Sequence, residues 1–272
     1  MTDYPQNPKK IVVISGYVRS GNTWLTRLIA DCLDSPAIGF ANALPLATEG
    51  EKRAGDWFVS QLHLHPVRNS GSEHALVDGW KFDITKYRGE HLIIMMRDPR
   101  DVAISAMHYW DLPDIKSTLI AMRDGSTPLG GVGRWTDYVN DWMNCFGIPL
   151  IGIHYEALYL RTEDHLFWLL QRVIRRDIGE TKWRKKIREV IARQEINAKR
   201  KEILEDEKNG IGRPYGATIQ LKHLRRGVPG EWREVFTKDE NDLAWDIFGV
   251  EATLLGYSKE HGYEGNSPKD RG

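Results

Sequence analysis

An unbroken apolar run, Ile11-Val12-Val13-Ile14, opens the patterned part of the chain. It is too short for a helix and does not alternate, which predicts a strand over residues 10–15 buried on both faces of a parallel sheet. The period then changes: Trp24, Leu25, Leu28, Ile29 and Leu33 recur at helical spacing, and Pro36 follows, predicting a helix over residues 23–33. Residues 39–71 are irregular apart from the alternating piece Phe58-Val59-Ser60-Gln61-Leu62-His63-Leu64-His65, which Pro66 stops. Two further apolar runs, 75–82 and 91–96, read as core strands. After the second, Asp98 can cap a helix with Pro99 in its first turn. A glycine-rich break at 130–133, a helix to Cys145 and a strand over 149–153 come next, the strand ending at His154-Tyr155-Glu156. Residues 163–208 read as successive helices, with the charge-rich stretch 182–201 as a solvated face.

Strand, crossover and strand in repetition predict an α/β fold, a central parallel sheet flanked by helices whose ligands gather at the carboxyl ends of the strands. The length of 272 residues fits one domain over 10–257, between a tail at 1–9 and a loosely ordered polar tail at 258–272. The 38 basic and 38 acidic residues cancel, leaving no global field for nucleic acid or an anionic membrane, so any anion site must be local. The polar start and the absence of a long apolar run predict no export signal, no membrane insertion and a cytoplasmic location. Cys32 and Cys145 read as reduced thiols.

Gly16-Tyr17-Val18-Arg19-Ser20-Gly21-Asn22-Thr23 follows the first strand and has the GxxxxG spacing of a phosphate-binding loop. The lysine that carries charge to the β- and γ-phosphates of a triphosphate is missing: Asn22 holds its slot and the cation has moved to Arg19. Backbone amides and a helix N-terminus still suit an anion, so the expected ligand is a nucleotide other than ATP. Arg97, Arg100 and Ser105 can converge on an anion, a capped helix start being the plainer alternative. Arg225 and Arg226 lie beside Gly227 and Gly230 in a second candidate clamp, where guanidinium forks match phosphate oxygens. One glycine loop and two arginine sites fit a ligand with phosphate groups at two ends.

These segments resemble the sulfotransferases that use 3′-phosphoadenosine 5′-phosphosulfate (PAPS). The family's loop Y-P-K-S-G-T-T-W is similar to Tyr17-Val18-Arg19-Ser20-Gly21-Asn22-Thr23-Trp24, and its R-(N/D)-P-(K/R)-D-V-A-V-S segment to Arg97-Asp98-Pro99-Arg100-Asp101-Val102-Ala103-Ile104-Ser105. Its R-K-G-x-x-G-D-W loop resembles Arg225-Arg226-Gly227-Val228-Pro229-Gly230-Glu231-Trp232, and its tyrosine before an acidic residue resembles Tyr155-Glu156. The resemblance implies a P-loop-type three-layer sandwich and in-line transfer of a sulfuryl group from PAPS to an acceptor hydroxyl or amine, leaving PAP, the 3′,5′-bisphosphate. By the same carry-over Arg19, Ser20, Gly21, Asn22, Thr23 and Trp24 hold the 5′-phosphosulfate, with adenine beside Trp24 and Tyr155. Arg97, Ser105, Arg225, Arg226 and Gly227 hold the 3′-phosphate, and cationic side chains stabilise the leaving phosphate without a required metal.

Two departures stand out. Arg19 replaces the family's lysine, keeping the charge but giving up a proton poorly. The family's histidine base, in a K-T-H-x-P segment, has no verbatim copy. Lys81 and Asp83 can take the places of its lysine and histidine, and His63 or His65 in His63-Leu64-His65-Pro66 is the alternative. Asp83 ranks first on spacing. A family member that has lost its base, binding PAP or PAPS without turnover, and a P-loop kinase are the competing readings. The expected partner is a small-molecule acceptor, for which Trp57, Phe58, Trp80, Tyr109, Trp110 and Trp135 are candidate wall residues, although aromatics at such spacing are more often core.

Overall fold

The computed structural model describes residues 10–35, 37–40, 57–63, 65–67, 77–78, 81–83, 91–126, 132–145, 150–175, 178–210, 221 and 224–264. Its strands are β1 Lys10–Gly16, β2 Ala37–Phe40, β3 Trp57–Leu62, β4 His65–Val67, β5 Val77–Asp78, β6 Lys81–Asp83, β7 His91–Met96, β8 Leu150–His154, β9 Tyr257–Ser258 and β10 Gly262–Tyr263. Its helices are α1 Asn22–Cys32, α2 Pro99–Tyr109, α3 Ile115–Asp124, α4 Trp135–Met143, α5 Tyr155–Leu160, α6 Thr162–Ile174, α7 Glu180–Arg193, α8 Ile196–Lys208, α9 Trp232–Val235 and α10 Lys238–Leu254.

The apolar run of β1 takes the centre of a five-stranded parallel sheet of order β2-β3-β1-β7-β8. Its side chains point alternately to two cores, as a strand buried on both faces requires. Val12 and Ile14 join Leu25, Leu28 and Ile29 of α1 and Leu166, Leu169 and Leu170 of α6. Val13 joins Val102 and Ile104 of α2, Leu119 of α3, Trp135 and Tyr138 of α4 and Phe248 of α10. The result is the expected three-layer sandwich. Because the chain crosses from β3 on one side of β1 to β7 on the other, the carboxyl ends of β1, β3 and β7 open at a topological switch point, where such sheets bind ligands.

Two strand expectations change. The run 75–82 forms no strand of the main sheet; its β5, together with β6 at Lys81–Asp83, joins β4 in a separate three-stranded sheet of order β4-β6-β5. The pair Asp78-Gly79 in the middle of the run is a turn signal, and it outweighs the apolar content. The neighbour of β1 is instead β3, from the stretch read as irregular. Ser60 and Gln61 are buried there, so a central strand carries polar residues and lacks the continuous apolar signature.

The tail expected to be loose from residue 258 also differs: through Glu264 it includes the β9–β10 hairpin. Polar composition concealed the hairpin because it is held through backbone carbonyls. Arg100 donates from Nη2 to Ser258 O (2.8 Å) and from Nη1 to Lys259 O (2.7 Å) and to Asn241 Oδ1 (2.9 Å). Its Nε and Nη2 pair with Asp98, and its guanidinium lies 3.5 Å from the Trp232 ring centroid. Arg100 is therefore a buried structural tie between α2, α10 and the hairpin, and its fork is occupied.

Arg100→Met is expected to destabilise the fold by about 3–5 kcal/mol, because it leaves the buried Asp98 carboxylate and two carbonyls without their donor. Urea denaturation measures this; a change within about 0.5 kcal/mol, the range of ordinary surface substitutions, would contradict the assignment.

Candidate active site

The loop after β1 is shaped by close approach. A Cβ on Gly16 would come within 2.8 Å of Met95 O, and one on Gly21 within 2.5 Å of the Tyr155 ring. Arg19 (φ 66°) and Gly21 (φ 98°) both adopt left-handed conformations, which turn the chain into α1. The first turn of α1 has neither a side-chain cap nor an acidic residue, so the positive end of the helix is not countered by its own side chains and suits an anion.

Three arginines converge on this loop. Arg19 donates from Nε to Ser105 Oγ on α2 (3.1 Å), and its guanidinium lies 4.2 Å from the Tyr109 ring centroid. Arg97, immediately after β7, donates from Nη1 to Arg19 O (3.0 Å) and stands 4.3 Å from the Tyr155 ring centroid. Burial lowers the pKa of Arg19 to about 10; Tyr109 opposes this, while the charges of Arg97 and Arg225 add to it. These cations feel one another, and an anion among them would relieve the repulsion. Arg97 Nε is buried and has no hydrogen-bond partner among the described residues, the state expected of a donor reserved for a ligand. The arrangement fits a phosphate-bearing nucleotide.

Carboxylates hold these cations and the late loop in place. Asp101 accepts from Gly230 N (2.6 Å) and Trp232 N (3.1 Å), docking residues 230–232 on the first turn of α2. Arg225 pairs through both Nη atoms with buried Glu231, which Arg226 also reaches at 3.2 Å. Burial works against the Glu231 charge, yet Arg225 and Arg226 hold its pKa below the usual carboxylate value. Tyr155 bridges the two loops: its ring faces Gly21 and meets Trp24 edge-on, and its hydroxyl donates to Gly227 O at 2.5 Å. Glu156 beside it accepts from Asp98 N (2.9 Å) and Tyr257 Oη (3.0 Å), fixing the start of α2.

The base candidates occupy different places. Lys81 and Asp83 lie on β6, in the separate sheet, with Val67 opposite Asp83; their side chains lie outside the described structure. His65 places Nδ1 2.6 Å from Asp141 Oδ2 and Nε2 2.7 Å from Val132 O. Both ring nitrogens are thus engaged by acceptors of the protein itself. His63 follows β3 directly, and the pairing of Ser15 with Leu62 carries it alongside Gly16. Its Nδ1 is 2.7 Å from Gly16 O. Reading β3 as a central strand is the step by which the sequence could have put His63 first.

The expected wall aromatics divide. Tyr109 faces Arg19, with Trp110 edge-on to it, whereas Trp135 is core against Phe248 and Trp57 packs on the α1 side. Trp80 and the Phe58 side chain lie outside the described residues. A cavity of about 220 Å³ lies behind the loop, walled by Met95, Met96, Trp135, Tyr138 and Trp142 and reached by Ser20 and Arg97; neither His63 nor His65 lines it. Among the described residues no cluster of three or more His, Cys, Asp or Glu could hold a metal ion, and no helix is long and apolar enough to cross a membrane.

Residues 9–256 match the family model described as the sulfotransferase domain. No curated protein matches the chain. Among solved structures, mouse sulfotransferase SULT7A1 complexed with PAP is similar at 16% identity and a TM-score of 0.61, over 89% of this chain and 84% of that one. Retinol dehydratase in complex with androsterone and inactive cofactor PAP is similar at 12% identity and 0.58, over 97% and 84%. The same enzyme in a complex with retinol and PAP gives 13% and 0.56, over 97% and 84%. At these identities the structural likeness is one of fold.

The buried carboxyls give this site a pH signature. Burial raises Glu156 to about 7, and Asp101 to about 6 against the pull of Arg97. A carboxyl that holds its proton more tightly when folded contributes stability below its unfolded pKa and loses it as pH rises through the folded value. Stability is therefore expected to fall between about pH 5 and pH 8. Glu156→Gln, which keeps an acceptor for Asp98 N, should flatten the decline, as read from urea midpoints across that range; an unchanged slope would contradict the assignment.

Proposed function

The chain belongs to the sulfotransferase domain family, and as such is a PAPS-dependent sulfotransferase; we propose that it transfers the sulfuryl group in line to the hydroxyl or amine of a small-molecule acceptor. The observation that carries this reading is the convergence of Arg19, Arg97 and Arg225 around an uncapped helix start, with His63 at the adjacent strand end. PAPS supplies the sulfuryl group: its sulfur–oxygen bond to the phosphate breaks as a bond to the acceptor oxygen or nitrogen forms.

In this proposal the loop from Arg19 to Trp24, with the Arg19 guanidinium, holds the 5′ end. Arg97, Ser105, Arg225, Arg226 and Gly227 hold the 3′-phosphate, and Trp24 and Tyr155 flank the adenine. Arg19, already bonded to Ser105, acts by charge: it stabilises the negative oxygen left on the departing bisphosphate. The Asn22 side chain turns to Gly16 O (2.8 Å), which leaves its slot without the cation a triphosphate needs and argues against a kinase.

His63 is the proposed general base, ahead of Asp83 and His65. Its Nδ1–H donates to Gly16 O, so Nε2 carries the lone pair that takes the acceptor proton. Burial lowers its pKa to about 4, with the bond to Gly16 opposing and the Arg19 charge adding to the fall. The ring is thus neutral across the physiological range, and an anion beside Arg19 raises its basicity. A cytoplasmic setting completes the proposal, in keeping with the buried thiols of Cys32 and Cys145.

PAP at 100 times its Kd should stabilise the protein by about 2.7 kcal/mol in the absence of metal, and Mg-ATP should not. Preferential stabilisation by Mg-ATP would contradict the donor assignment; PAP binding without turnover of labelled PAPS over an acceptor panel would leave a nucleotide-binding module. His63→Ala should lower kcat by about 10²–10⁴-fold while keeping the PAP shift. With the wild-type enzyme, kcat/KM should hold from neutral pH to about pH 5 and fall near the His63 value of about 4. An acid limb near about 6.5, the value of an ordinary histidine, would count against this base.

A further inference from the structure

Asn22 stands in the slot of the missing lysine, 3% exposed, and its amide serves the loop itself. Nδ2 lies 2.8 Å from Gly16 O and 2.9 Å from His63 Nδ1, while that Nδ1 lies 2.7 Å from the same carbonyl. Three polar atoms in a triangle admit few proton assignments. If Asn22 donated to a bare Nδ1, that nitrogen and Gly16 O would be two acceptors 2.7 Å apart. If the amide were flipped, its oxygen would face the carbonyl oxygen at 2.8 Å. The arrangement without an acceptor–acceptor contact has Asn22 Nδ2–H and His63 Nδ1–H each donating to Gly16 O; the two donor nitrogens then stand 2.9 Å apart with their hydrogens both turned to the carbonyl, the milder of the three contacts.

We propose that Asn22 is a positioning residue for His63: by sharing the Gly16 carbonyl it fixes the ring in the tautomer with Nδ1 protonated and Nε2 as the base. The proposal rests on the reading of His63 as general base. It gives the altered slot a role: a lysine there would bring a strongly hydrated charge suited to phosphate, and would depress the imidazole further. A neutral amide donates without that charge. Gly16 belongs to the same device, because a Cβ at that position would collide with the Asn22 side-chain oxygen as well as with Met95 O. The slot thus serves proton transfer, and the rest of the loop and the arginines are left to bind the phosphates.

The test uses the full chain saturated with PAP. Imidazole ¹⁵N NMR of the wild type should show His63 with a protonated Nδ1 and a pyridine-like Nε2. In Asn22→Ala, and in the similarly shaped Asn22→Leu that removes the donor without adding a charge, the signal should move toward the other tautomer or an average of the two. In both, kcat should drop about tenfold, the rate equivalent of one lost hydrogen bond, while Kd for PAP changes by less than about threefold. A wild-type His63 protonated at Nε2 overturns the proposal, and needs no variant to fold. So does an unchanged tautomer with unchanged kcat in both variants. A fall in PAP affinity as large as the fall in kcat would return Asn22 to phosphate binding and also overturn it. Full turnover by His63→Ala would remove the base reading separately, since the wild-type tautomer is read without turnover.

Discussion

Parallel pairing of β1 with β3 on one side and β7 on the other brings three chain ends to one edge of the sheet. The residues just past those ends are the loop from Gly16, His63 and Arg97, and β8 adds Tyr155 at the same level through the pairing of Met96 with His154. Register therefore decides which side chains can meet. A slip of one residue in β3 would turn Ser60 and Gln61 to the opposite faces and carry His63 away from Gly16 O. Both helical layers serve this register by burying the alternate faces of β1.

Around that edge the structure concentrates positive charge and then restrains it. Arg19, Arg97 and Arg225 lie close enough to shift one another, and Asp101, Glu156 and Glu231 are buried beneath or beside them. The carboxylates do more than offset charge. Asp101 and Glu156 each accept backbone N–H donors, so they also fix the start of α2 and the 230–232 turn. Arg100 shows the contrast: with its fork filled by Asp98 and two carbonyls it is framework, while Arg97, three residues earlier, keeps a buried Nε without a partner among the described residues.

Much of this was legible in the sequence. The run at β1, the GxxxxG spacing, the Asp98-Pro99 helix start and the two arginine segments placed the fold and the glycine loop after β1, because each is a local signal. What escaped depended on pairing. β3 hid because a buried strand can carry Ser60 and Gln61 when neighbours satisfy them, and with it hid the proximity of His63 to Gly16. Spacing along the chain favoured Asp83, but β6 belongs to another sheet. Asn22 read as a cofactor contact from its position alone; its bond to Gly16 O depends on a tight turn that no local pattern encodes.

A crystal structure with PAP bound tests the central claim most directly. The account predicts the 5′-phosphate on the loop beside Arg19, the 3′-phosphate among Arg97, Ser105 and the 225–227 loop, and His63 Nε2 facing the space beyond the 5′-phosphate. A nucleotide whose phosphates lie away from these three arginines, or a His63 ring turned from the 5′ end with Asp83 in its place, would contradict it.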